Sequence, residues 1–90
     1  MSDEPEYSYS EVANEQLDDI EAGDDTGLSN DVVATCEWIL SNPERAQAQS
    51  SAIQTDRGIV MRFAVPDRPP LKVFWTTSTP RIEAVFPYPT

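Results

Sequence analysis

An α+β domain is what this sequence predicts: a three- to four-stranded antiparallel meander, covered on one face by two helices plus a short third helix. Three observations predict it. Residues 59–65, 71–77 and 81–86 alternate in polarity and are rich in β-branched and aromatic side chains. Between them lie Pro66-Asp67-Arg68-Pro69-Pro70 and Ser78-Thr79-Pro80, both turn chemistry. Upstream of residue 50, apolar residues recur at helical spacing instead of at every second position.

The 90-residue chain is long enough for one small domain, here over 8–90 after an acidic tail expected to be disordered over 1–7. An acidic helix and loop are expected over 8–28, helices over 29–49 and the sheet over 50–87. Ser8-Tyr9-Ser10-Glu11 has the pattern of a capping box, with Tyr7 and Val12 placed to form a hydrophobic staple. Val12, Ala13, Leu17 and Ile20 then share one arc of a helix over about 9–22. Gly23 fits the left-handed residue that closes a helix. GDDTGL (23–28) reads as a loop, and Ser29 or Asn30 caps a second helix over about 31–41. Its apolar arc is Val32, Val33, Cys36, Ile39 and Leu40, which supplies the cover for the sheet.

Asn42-Pro43-Glu44 restarts a helix, a cap residue followed by proline at the first helical position, giving a short third helix over about 43–49. Residues 50–55 can extend that helix or form an edge strand paired with 59–65 through Thr55-Asp56-Arg57-Gly58. The strand is favoured, with Gly58 supplying positive φ. Alternation puts Ile59, Met61, Phe63, Val65, Leu71, Val73, Trp75, Ile82, Ala84 and Phe86 on the core face. The other face is mixed: Val60, Arg62, Ala64, Lys72, Phe74, Thr76, Arg81, Glu83 and Val85. The tail Pro87-Tyr88-Pro89-Thr90 is expected to leave the ladder and run along the surface.

Charge is divided along the chain. Residues 1–31 hold eleven acids and no base, whereas 32–90 hold five acids and all six bases, for a net charge of −10 at pH 7. Salt adaptation would acidify a whole surface, so the asymmetry points to a basic partner, to an internal one in the chain's own basic half, or to a solvated, solubilising segment. Within the first helix, Glu11/Glu15 and Glu15/Asp19 are like-charge pairs at i, i+4. Asp18, Asp19 and Glu21 stand where the helix dipole disfavours anions. Local rules broken without a local gain tend to mark function.

Catalytic chemistry finds little to work with. Histidine is absent, and Cys36 sits on an apolar arc without a basic neighbour in sequence, as a small buried hydrophobe. The run 18–25 fails as an EF-hand because Ile20 and Ala22 occupy ligand positions, so no metal or other cofactor is expected. One cysteine excludes an internal disulfide. The N-terminal residues lack a secretory pattern, and no apolar run approaches the ~18 residues of a membrane helix, so a cytoplasmic, non-membrane protein is expected.

The expectation is therefore a non-catalytic protein that offers Glu11, Glu15, Asp18, Asp19, Glu21, Asp24 and Asp25 to a basic protein surface, such as that of a nucleic-acid-binding protein. A nucleic-acid mimic or inhibitor, or an antitoxin- or immunity-like protein, satisfies this. Trp38 projects away from the apolar arc of its helix. It either packs against the first helix or serves as an aromatic anchor for a partner in a small regulatory module. The alternative site is the outer sheet face, where Arg62, Lys72 and Arg81 surround Phe74, with Arg57 and Arg68 at the turns, as in binders of single-stranded nucleic acid. A single aromatic, Glu83 on the same face and the net charge of −10 all disfavour direct nucleic-acid binding.

Overall fold

The computed structural model describes residues 8–56, 58–77 and 79–88. The expected tail over 1–7, the staple through Tyr7, and Arg57, Ser78, Pro89 and Thr90 lie outside the described residues. The elements are α1 (Glu11–Ala22), α2 (Thr26–Ser41), α3 (Pro43–Gln49), β1 (Ser51–Thr55), β2 (Gly58–Ala64), β3 (Leu71–Thr76) and β4 (Arg81–Pro87). The strands form one antiparallel meander in the order β1-β2-β3-β4, so residues 51–55 are a strand and do not extend α3. Gly58 has φ 116°, the positive value the β1–β2 turn requires. Helix α1 packs along β4, α2 bridges α1, α3 and β4, and α3 packs on β2. Between these layers lie Val32, Cys36 and Ile39 of α2 and Ala46 of α3. Met61, Phe63, Val73, Trp75, Ile82 and Val85 of the sheet complete the core.

The structure differs from the sequence expectation at several places, and Ile59, expected on the core face, is 56% exposed. Helix α1 is capped by Ser10 and not by Ser8: Ala13 donates its N–H to Ser10 Oγ at 3.0 Å. The shift follows from tertiary pairing, since Tyr9 bridges Ile82 in parallel fashion and Ser10 N–H donates to Ile82 O at 2.8 Å. Ser10 Oγ also donates to Glu83 O at 2.6 Å, which ties the helix start to β4. Gly23 is extended, with φ −76°, and α2 begins at Thr26 inside the expected loop, because Asp25 Oδ1 accepts the N–H of Leu28 at 2.9 Å. Val12 is 53% exposed, lying about a quarter-turn from the buried Ala13 and half-buried Leu17 and Ile20.

The largest departure is in β4. Phe74 faces Ala84 but Trp75 faces Ile82, leaving Glu83 as the extra residue of a β-bulge. Beyond it the alternation reverses. Val85, expected outside, is buried, while Ala84 and Phe86, expected in the core, turn to the outer face. The bulge sits where α1 takes over β4's backbone groups: Ser10 bonds to Ile82 and Glu83, and Gln16 Oε1 accepts the N–H of Val85. Pro87 does continue the ladder, opposite Leu71, as the terminal residue of an edge strand that needs no donor there.

Ser10 therefore caps a helix and fills a sheet edge at once. Ser10→Ala is expected to cost about 2 kcal/mol, from the lost cap and an unsatisfied carbonyl, and to lower Tm by roughly 10 °C. A thermal melt followed by circular dichroism checks this; a loss under about 2 °C would mean that the two bonds contribute little.

Candidate functional site

Glu11, Glu15 and Asp18 recur every three or four residues along α1, so they form one stripe, with Asp19 and Glu21 flanking it. Ala13, Gln16, Leu17 and Ile20 occupy the opposite side and seat the helix on the fold, which turns the stripe to solvent. All five acids, and Asp24 after them, are exposed, and among the described residues none has an ion-pair or hydrogen-bond partner for its carboxylate. The first helix ends without a basic residue in its last turn.

Asp25 is differently placed. It caps α2 and lies 3.6 Å from Arg68, which also reaches Asp31 at 2.9 Å. The side-chain hydrogen bond to Asp31 is the main reason the Arg68 guanidinium is pushed above its ordinary pKa. Gly27 leaves room for this clamp: a Cβ there would stand 3.1 Å from Arg68 Nη2. Three further basic side chains are also engaged. Arg81 lies 3.7 Å from Glu83, Arg62 stands 5.3 Å over the Tyr88 ring, and Lys72 Nζ donates to the carbonyls of Pro70 and Tyr88, each at 3.2 Å. Among the described residues, no cation pairs with the stripe on α1.

The outer sheet face carries more aromatic surface than alternation implies. The bulge delivers Phe86 beside Phe74, their rings stacked at 4.7 Å and 13°. Tyr88 meets Phe74 edge-on at 5.6 Å, and its N–H donates to Pro70 O at 2.9 Å. Arg62, Lys72 and Phe74 are brought together here, whereas Arg81 is paired with Glu83, to which Thr76 also donates at 3.3 Å. The sequence conceals Phe86 because Ala84-Val85-Phe86 is apolar at three consecutive positions and specifies no phase.

Trp38 is half-buried. It packs on Phe63 of β2, with ring centroids 5.6 Å apart. Its accessible edge lines a small apolar cleft of about 280 Å³ with Thr35, Gln49, Phe63 and Pro66. It belongs to a surface separate from the acidic stripe.

Cys36 is fully buried, and burial, reinforced by Glu37, pushes its thiol up to about 12. Native protein is expected to resist an aromatic disulfide reagent at pH 8 and to react at once when unfolded in urea. Rapid labelling of the native state would show that α2 opens readily. Among the described residues, no three metal-ligating side chains converge, and no helix is long and apolar enough to cross a membrane. Compared with protein-family models, curated proteins and solved structures, the chain matches none.

Proposed function

We propose that this chain is a non-catalytic protein-binding protein that presents the acidic face of α1 to a basic partner, as a nucleic-acid mimic, an inhibitor, or an antitoxin- or immunity-like protein. One observation carries the reading. Glu11, Glu15, Asp18, Asp19 and Glu21 stand exposed and unpaired among the described residues, while Arg62, Arg68, Lys72 and Arg81 are engaged elsewhere in the molecule. A row of carboxylates on a helix, with no counter-charge among the described residues, competes for the lysine- and arginine-lined surfaces that nucleic acids occupy. Association is steered, fast and salt-dependent.

The second reading, a sheet face that binds single-stranded nucleic acid, is favoured by the Phe74–Phe86–Tyr88 cluster beneath Arg62 and Lys72. Against it, the rings cover one another and both cations already have partners. The experiment is an affinity capture at low and high salt, followed by titration of the purified partner in competition with nucleic acid. Capture that salt and competing nucleic acid both abolish supports the acidic-face reading. Tight binding of a labelled single-stranded oligonucleotide to this chain, lost in Phe74→Ala, overturns it in favour of the sheet face.

A further inference from the structure

Exposed apolar side chains gather along one side of α1. Val12, Ile59, Phe86 and Tyr88 are the large apolar residues exposed among the described ones, and three of the four line two clefts there. The first cleft, of about 530 Å³, holds Val12 and Ile59. The second, of about 330 Å³, holds Phe86 with Ile20, Leu28 and Leu71. Val12 in the first, and Gln16 and Asp19 in the second, stand at i, i+4 and i+7, so one face of α1 walls both. Helix α1 runs along β4, with Ser10 bonded at Ile82 and Gln16 at Val85, so the clefts follow one another as a single seam. Glu11 borders the first and Asp19 the second, with Glu15 four residues from each. Arg81 and Glu83 also line the first cleft, as a pair 3.7 Å apart that adds no net charge. An apolar strip rimmed by polar groups marks a surface where another protein docks.

We infer that this seam takes a basic amphipathic helix of the partner, its apolar side chains seated in the two clefts and its lysines or arginines set over Glu11, Glu15 and Asp19. The inference rests on the acidic-face reading above and adds what the partner must carry besides charge. Charge complementarity selects the occupant. An acidic apolar segment is repelled by the row, and so is a second copy of this chain, whose residues 1–31 hold eleven acids and no base. Backbone chemistry selects a helix over a strand. The outward groups of β4 are already taken, Ile82 O and Glu83 O by Ser10 and Val85 N–H by Gln16, so an extended segment finds no ladder to join here. A helix satisfies its own backbone and repeats its side chains at the spacing of the acids. From Glu11 to Asp19 the row spans about 12 Å, or some two turns of either helix.

The test uses two synthetic helical peptides of equal charge. One is built of lysine and alanine with leucines along one face, and the other has those leucines replaced by alanine. Each is titrated at low salt into the isotopically labelled full chain, and amide shifts are followed. The leucine peptide is expected to bind about tenfold more tightly, to shift Val12, Ile20, Leu28, Ile59 and Phe86, and to keep its advantage as salt is raised. Val12→Gln with Phe86→Gln changes one exposed residue in each cleft. This variant is expected to keep its melting transition and its affinity for the alanine peptide while losing most of the leucine advantage. Equal binding of the two peptides, with shifts confined to the acids of α1, overturns the inference and leaves the acidic-face reading standing. So does a leucine advantage that the folded variant retains in full. Failure of both peptides to bind at low salt overturns the acidic-face reading, and the inference with it.

Discussion

Reversing Asp18 and Asp19 to lysine is expected to weaken capture of a basic partner about 100-fold while raising the stability of the fold. At a solvated surface each unit of charge facing a cation contributes roughly 0.5–1 kcal/mol, and the double substitution changes the local charge by four units. The resulting 2–4 kcal/mol corresponds to about two orders of magnitude in Kd at low salt, shrinking as salt screens the interaction. Stability moves the other way. Glu15 exchanges a like-charge neighbour at i+4 for a lysine, and two cations replace two anions near the helix C-terminus, which gains about 0.5–1 kcal/mol. The opposite signs separate a functional role from a structural one. Glu44→Lys with Asp56→Lys gives the same net charge away from α1 and should change affinity less than about threefold. If that control weakens capture equally, the partner reads net charge and not this helix, and the proposal fails.

Most of the meander was legible because its signal is local. Alternation in β2 and β3, the Gly58 turn and the Pro66–Pro70 turn each specify their own conformation. The structure keeps Met61, Phe63, Val65, Val73 and Trp75 on the core face as alternation requires. What was not legible depends on distant partners. Ser8 and Ser10 are equally good caps in sequence, and only Ile82, some seventy residues away, decides between them by pairing with Tyr9 and Ser10. The β4 bulge is likewise decided by Ser10 and Gln16, so no window of sequence around Glu83 contains the cause.

The candidate surfaces follow the same division. The stripe on α1 needs only helical spacing, and the fold leaves it where spacing puts it. The aromatic cluster needs the bulge to turn Phe86 outward and the tail to bring Tyr88 onto the sheet, so composition shows one aromatic on that face where three gather. Trp38 illustrates the reverse case. Its angular position on α2 implies a turn away from the core arc, yet Phe63 and the cleft beside Pro66 cover one side of the ring.

Trp75→Ala is expected to leave the chain largely unfolded at room temperature. Trp75 is fully buried in β3, between Met61 of β2 and Ile82 of β4. Its Nε1–H donates to Ser50 Oγ at 3.1 Å, and Ser50 Oγ donates to Ala46 O at 2.7 Å. One side chain thus joins the sheet to the C-terminal turn of α3, at the point where the chain enters β1. Removing an indole from such a site costs about 3–5 kcal/mol, against a total of roughly 5–13 kcal/mol for a domain of this size. Trp75→Phe retains most of the packing and loses the bond to Ser50, so its cost should be about 1–2 kcal/mol. Urea titrations of the two variants separate packing from hydrogen bonding. The comparison also bears on α1, because Trp75→Ala should lose partner capture together with its melting transition, whereas reversal at Asp18 and Asp19 should lose capture and keep the transition. A cost below about 1.5 kcal/mol for Trp75→Ala would show that the interior is not organised around β3, and that α1 is held in place by something other than this core.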